Sequence, residues 1–227
     1  MLRERRNGEP LQGRAVALAA TAVATIVLAV VFVAVVWRAS EHSSSAGHSV
    51  VSATGPASPL AGAVFPANIT APPFTLHDQE GHSVSLAQYR GHVVVLTFLY
   101  PTCGAPCVLI AQQIRGALDE LNARVPVLIV SADPPSDSPG RVRRFLSEAA
   151  LSGRAQYLSG TLAQLRHVWT AYSVKPASAG SRVFDEYASV LLIDPSGSER
   201  VVFESEQLTP ESLSHDIQLL EGDHTHP

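Results

Sequence analysis

Cys103 and Cys107 are the only cysteines in the 227-residue chain. At that spacing two thiols can close as a disulfide or, when reduced, hold a soft ion such as Cu(I) between two thiolates. Two regularly helical residues at i and i+4 carry Cβ atoms about 5–6 Å apart, wider than the ~3.5–4.5 Å of a disulfide. Cys103 is therefore expected on the loop side of a helix boundary. Pro106 suits the first helical turn and Gly104 permits a sharp bend. Backbone N–H groups and the positive end of a helix dipole lower a thiol pKa there, raising the fraction able to attack a disulfide or bind metal. A bridge closing so short a loop removes little unfolded-state entropy, so the placement favours a working dithiol over an inert staple. Zinc is disfavoured, since there is no third cysteine and no His pair at finger spacing.

The elements that must hold this pair read as an α/β sheet covered by helices. Val93 to Leu99 is a continuous apolar run, expected of a strand buried on both faces, and Val125 to Val130 is a second. Between them Leu109, Ile110, Ile114, Ala117, Leu118 and Leu121 recur at helical spacing. Phe74 to Leu76 and Ser83 to Leu86 flank Gly81 as a hairpin. Further helices are predicted from Pro139, with Ser138 as N-cap and Val142, Phe145, Leu146 and Ala149 buried, and from the capping box Thr161 to Gln164, with Leu162, Leu165, Val168, Trp169 and Tyr172. Tyr187 to Ile193 and Val201 to Phe203 form a hairpin, and Thr209 with Pro210 opens a last helix carrying Leu213, Ile217 and Leu220.

Upstream, Ala15 to Trp37 carries no charge over 23 positions. At ~1.5 Å per residue such a helix spans a hydrocarbon core of ~30 Å. Its apolar length exceeds that of a signal peptide, so residues 15–37 read as a transmembrane anchor. Arg3, Arg5, Arg6 and Arg14 precede it, which keeps residues 1–14 cytoplasmic and the rest of the chain outside the cell membrane. Residues 38–73 are rich in Ala, Ser, Gly and Pro and read as a flexible linker. The domain is expected over 74–222, with 223–227 a disordered tail. Histidines in these outer segments, such as His42 and His48, read as solvated. The net charge is −4, and residues 74–227 carry 11 basic against 17 acidic side chains, which disfavours nucleic acid.

The domain resembles the Sco/SenC family, thioredoxin-fold proteins on a membrane tether that handle copper for cytochrome c oxidase assembly. The resemblance rests on Phe74 to Gly81 and Ser85 to Gly91, on Thr97-Phe-Leu-Tyr-Pro-Thr-Cys103 with Cys107 as a CxxxC site, and on the Asp-x-x-x-Asp segment Asp133 to Asp137. Leu158 to Thr161, Ala188 to Pro195 and Leu208 to Pro210 agree too. It implies a thioredoxin-like fold with a central mixed sheet, and copper held by Cys103, Cys107 and a histidine just before the Ala188-Ser-Val strand. Glu186 occupies the place of that histidine. A carboxylate is a poor Cu(I) ligand, which puts the copper role in question. Neither His167, on the third helix, nor His92, at a strand start, can be placed near the cysteines from sequence. No proline stands at Glu186, Tyr187 or Ala188, where ordinary thioredoxin-like reductases carry one. Asp133 is read as a turn residue and Asp137 as a helix N-cap.

Three readings follow. The chain is a Sco-like protein, read as a monomer, using Cys103 and Cys107 for Cu(I) binding or thiol–disulfide exchange with a respiratory oxidase subunit. Alternatively it is a thiol–disulfide oxidoreductase of exported thiol proteins that has lost copper binding. The third is a binding module held shut by a permanent bridge. In the first two, Cys103 is the attacking thiolate and Cys107 resolves the mixed disulfide.

Overall fold

A computed structural model describes residues 58–66, 68–121, 124–176 and 188–222. The anchor at 15–37, the first part of the linker, the tail and Glu186 lie outside them. Among the described residues no helix is long and apolar enough to cross a membrane.

The chain runs β1 (Ala63–Val64), β2 (Thr75–His77), β3 (Ser83–Ser85), β4 (Val94–Leu99), α1 (Ala105–Glu120), β5 (Val127–Ser131), α2 (Pro139–Glu148), β6 (Gln156–Leu158), α3 (Leu162–Ala171), β7 (Ser189–Ile193), β8 (Glu199–Glu204) and α4 (Pro210–Gly222). A mixed six-stranded sheet has the order β1-β8-β7-β4-β5-β6, and β2 pairs with β3 as a separate hairpin. Strands β4, β5 and β6 are parallel, while β7 and β8 return antiparallel. Every residue of β4 and β5 is buried, as the two apolar runs require. Strand β5 starts two residues later than predicted because Pro126 has no N–H for the ladder; its carbonyl still accepts from the Val95 N–H at 2.9 Å. The hairpin's second strand stops at Ser85, where a Ser85–Gln88 capping box starts a 3-10 turn over Leu86–Tyr89.

The four helices begin where their signals stand. Pro139 opens α2 after Ser138, the Thr161–Gln164 capping box forms on α3, and Pro210 opens α4. Two stripe residues are corrected. Leu109 is 55% exposed and Leu162 47% exposed. On α1 the buried side is set by Cys107, Ile110, Ala111, Ile114, Ala117 and Leu118, and at about 100° per residue Leu109 falls opposite them. Strand β6 has too few residues to show a periodicity.

The linker expectation also changes at its end. Ala63 and Val64 pair with Val202 and Val201, Ala71 is buried, and Glu199 donates its N–H to the Ile69 carbonyl at 2.8 Å. The described part of 38–73 is thus built into the domain. What fastens it is Asp216 of α4, fully buried, whose carboxylate accepts the N–H groups of Ala61 at 2.7 Å and Gly62 at 3.0 Å. Gly62 is required at the contact, since a Cβ there would lie 2.4 Å from Val201 Cγ1. Composition did not show this strap because its backbone bonds to β8 and to Asp216 leave no local pattern in its own residues. Asp216→Ala is expected to lower stability by about 1.5–3 kcal/mol, the size of losing hydrogen bonds to a buried carboxylate, with faster amide exchange at Ala61 and Gly62; urea unfolding and hydrogen exchange check it.

Candidate functional site

Strand β4 carries the chain to one end of the sheet, and Tyr100 to Gly104 turn it into α1. The Cys103 N–H donates to the Tyr100 carbonyl at 3.2 Å. Gly104 then serves as N-cap with φ 80° and ψ −145°, no side chain caps the helix, and Pro106 lies in its first turn. A positive φ is strained for an L side chain, so glycine is what allows the strand to reverse into the helix within one residue.

Cys103 and Cys107 are disulfide-bonded, with Cα atoms 5.8 Å apart. Cys103 sits on the loop side of the boundary, as the spacing required. Burial separates the two sulfurs' roles. Cys107 is 0% exposed within α1, whereas Cys103 is only half-buried at the lip. An incoming thiolate therefore has a route to Cys103 and none to Cys107. On reduction the Cys103 sulfur faces the start of α1, where N–H groups without intrahelical partners and the helix dipole stabilise a thiolate.

At the same end of the sheet, where β4 and β5 finish, lies a polar cluster that sequence reasoning assigned differently. Asp137 does not cap α2; Ser138 occupies that place. Asp137 instead accepts the hydroxyls of Ser131, at the end of β5, and of Tyr157 on β6, the latter at 2.7 Å. The Tyr157 hydroxyl also lies 3.3 Å from the carbonyl of Leu99, the last residue of β4. Burial raises the Asp137 carboxyl above its ordinary pKa against the pull of those two hydroxyls. Burial, with the Asp137 carboxylate beside it, pushes the Tyr157 phenol well up. No local sequence signal links residues 131, 137 and 157, because the cluster exists only once β5 and β6 pair. Asp133 fulfils its turn role, its carbonyl accepting from the Ser136 N–H and hydroxyl at 2.9 Å each.

The other candidates disperse. His92 is exposed at the opposite end of β4, six strand residues or roughly 20 Å from the cysteine end. His167 is exposed on α3. Strand β7 starts at the cysteine end, where the Thr97 hydroxyl of β4 donates to the Ser189 carbonyl at 2.9 Å, but Glu186 itself lies outside the described residues. Among the described residues the metal-competent trio is Asp78, Glu80 and His82, in the β2–β3 turn. Asp78 there already accepts the N–H groups of Glu80 and His82 and contacts the His82 ring, which is turn chemistry.

Residues 64–220 match the family model SCO1/SenC. The chain belongs to the SCO1/SenC family. An SCO1 protein homolog of Bacillus subtilis (strain 168) is 29% identical over 90 residues, 38% of this chain and 47% of that protein; the chain spans about half the length of the curated relatives it matches. A solved structure of BsSco, studied for a disulfide switch in that member of the Sco family of cytochrome c oxidase assembly proteins, superimposes with TM-score 0.60 at 23% identity over 70% of this chain and 96% of that one. Copper-bound ScoI of Bradyrhizobium japonicum gives TM-score 0.53 at 27% identity over 67% of this chain and 99% of that one. The expected thioredoxin-like α/β Sco fold is thus present.

Two outcomes follow from this geometry. After reduction, alkylation under native conditions is expected to label Cys103 well before Cys107, with the order read by peptide mass spectrometry. Because the folded Asp137 holds its proton more tightly than the unfolded one, it contributes stability at low pH that is lost as pH rises through its folded pKa. Tyr157→Phe removes one of its two hydroxyl donors, so it is expected to cost about 1–3 kcal/mol at a pH above the folded pKa of Asp137, where the acceptor is charged, and less at a pH below it. Urea unfolding at the two pH values checks this.

Proposed function

We propose that this Sco protein is held outside the cell membrane by the span at 15–37 and uses Cys103 and Cys107 as a reversible dithiol, for thiol–disulfide exchange and for carrying Cu(I) toward the copper centre of a respiratory oxidase. The observation that carries the reading is the asymmetric burial of a bonded sulfur pair at a helix start. In the reductive direction the Cys103 thiolate attacks a partner disulfide, forming a mixed disulfide and releasing one partner thiolate. Cys107 then attacks the Cys103 sulfur, the mixed bond breaks, and the second partner thiolate leaves. Two electrons pass to the partner as the Cys103–Cys107 bond forms. The reverse sequence oxidises a partner dithiol.

The donor set fits Cu(I) as cargo only in the reduced form, where two soft thiolates are available. The copper-bound ScoI relative supports that reading. The resemblance places Glu186 where the family's histidine would stand, and this favours a second reading in which thiol exchange persists and copper binding does not.

Cu(I) competition against a colorimetric chelator, with the reduced full-length chain in detergent, tests the first reading. Wild type is expected to bind more than about tenfold tighter than Cys103→Ser/Cys107→Ser, a factor worth ~1.4 kcal/mol, and Glu186→His tighter still. Affinity equal to that of the double serine variant removes the copper role and leaves the second reading. A dithiol potential below about −300 mV, which marks structural bridges, removes thiol exchange as well.

A further inference from the structure

We propose that the groove between the end of β5 and the start of α3 is a docking site for an acidic segment of the protein that exchanges with Cys103. This rests on the thiol-exchange reading and adds the chemistry of the partner. The groove encloses about 490 Å³ and is lined by Asp133, Pro134, Pro135, Arg141, Leu162, Arg166 and Trp169, among others, a size in the range of ligand and peptide clefts.

Its place follows from the backbone. The Ala132 N–H donates to the Leu99 carbonyl at 3.1 Å, while the carbonyl of the next residue, Tyr100, accepts the Cys103 N–H at 3.2 Å. Thus the loop leaving β5 into the groove and the loop carrying Cys103 start side by side at one end of the sheet. The floor is rigid, because buried Trp169 donates its indole N–H to the Ser131 carbonyl at 2.9 Å. Pro134 and Pro135 stiffen one wall. Leu162, one of the few large apolar side chains exposed among the described residues, offers an apolar contact at the rim.

Charge selects the occupant. Residues 74–227 carry a net −6, so an acidic partner is repelled by the domain as a whole. Arg141 and Arg166 are exposed and make no ion pair with any described residue, whereas Arg115, Arg154 and Arg200 are paired with Asp119 or Asp194. Two uncompensated guanidinium groups against the single Asp133 make the groove locally cationic. An extended segment bearing two carboxylates and one apolar side chain complements it, and docking there holds a neighbouring partner sulfur beside Cys103. Such placement raises the exchange rate by proximity without touching the sulfur chemistry.

The test uses the full-length chain in detergent, in its disulfide form, and a fluorescein-labelled peptide rich in Asp and Glu with one Leu and no cysteine, against the same peptide with Lys at the acidic positions. Anisotropy at low salt is expected to show the acidic peptide binding roughly tenfold or more tighter, a preference lost in R141E/R166E and weakened in Leu162→Ser. An acidic preference absent in wild type, or unchanged in R141E/R166E, overturns the docking site. A cysteine-containing version of the acidic peptide should exchange with the disulfide more slowly in R141E/R166E, while dithiothreitol reduces both proteins equally. If the acidic peptide binds through the arginines but neither its cysteine-containing version nor dithiothreitol reduces the bridge, the groove stands and the thiol-exchange reading fails.

Discussion

Cys107 enters the first turn of α1 already inside the core, and the rest of the site depends on that burial. With Cys107 buried on the same helix face as Ile110, Ala111 and Ile114, the other sulfur bonds to it from the last loop residue before the left-handed Gly104. The five-residue loop thus does little to stabilise the fold through chain entropy but sets the reaction order. In the proposed exchange the outer sulfur would meet the partner and the inner one would complete the reaction. A CxxxC spacing in a continuous helix would place both sulfurs too far apart to bond; the single glycine outside the helix removes that obstacle.

The sheet end beneath this loop is unusually polar for a core. Ser131, Asp137 and Tyr157 satisfy one another and reach the Leu99 carbonyl, and Trp169 satisfies the Ser131 carbonyl. Each of these bonds contributes only about 1 kcal/mol net, but an unmade one among buried groups costs more. The network therefore fixes the relative position of β4, β5, β6 and α3, and so of the loops that follow β4 and β5. In physical terms the polar cluster is how the scaffold holds the cysteine loop and the cationic groove in register.

Much of this was legible beforehand. The two apolar runs became β4 and β5, the three proline or capping-box signals became helix starts, and the cysteines fell at the strand-to-helix boundary, because each rests on periodicity or local backbone chemistry that a sequence displays directly. What escaped notice shares a different cause. The strap held by Asp216, the short β6 and the partnership of Asp137 with Tyr157 depend on pairings between segments 20 to 155 residues apart. No local pattern encodes such pairings. Asp137 illustrates the difference: beside Ser138 and Pro139 it reads as part of a helix cap, yet the better acceptor geometry lies across the sheet. Leu109 reads as a stripe residue by count, but the helix phase set by its neighbours turns it outward; Leu162 lies in phase with Trp169, seven residues on, and is exposed as the first residue of α3.

Disulfide formation and Cu(I) binding draw on the same two thiolates, so they are alternatives at this site, and linkage ties their energies. Any Cu(I) held by the reduced pair stabilises that form by RT ln(1 + [Cu]/Kd), about 2.7 kcal/mol at a hundredfold excess over Kd. For a two-electron couple ~1.4 kcal/mol corresponds to ~30 mV, so such loading would make the bridge harder to form by roughly 60 mV. A strong third ligand makes the reduced, metal-bearing state dominant; a weak one leaves the pair free to cycle with partner disulfides. On the proposed reading, in which Glu186 stands where the family resemblance implies a histidine, a carboxylate in place of an imidazole moves the balance in the second direction without altering a single sulfur. On that reading the ligand at this one position weighs as much as the geometry of the cysteines in whether the proposed copper carrying or the proposed thiol exchange prevails.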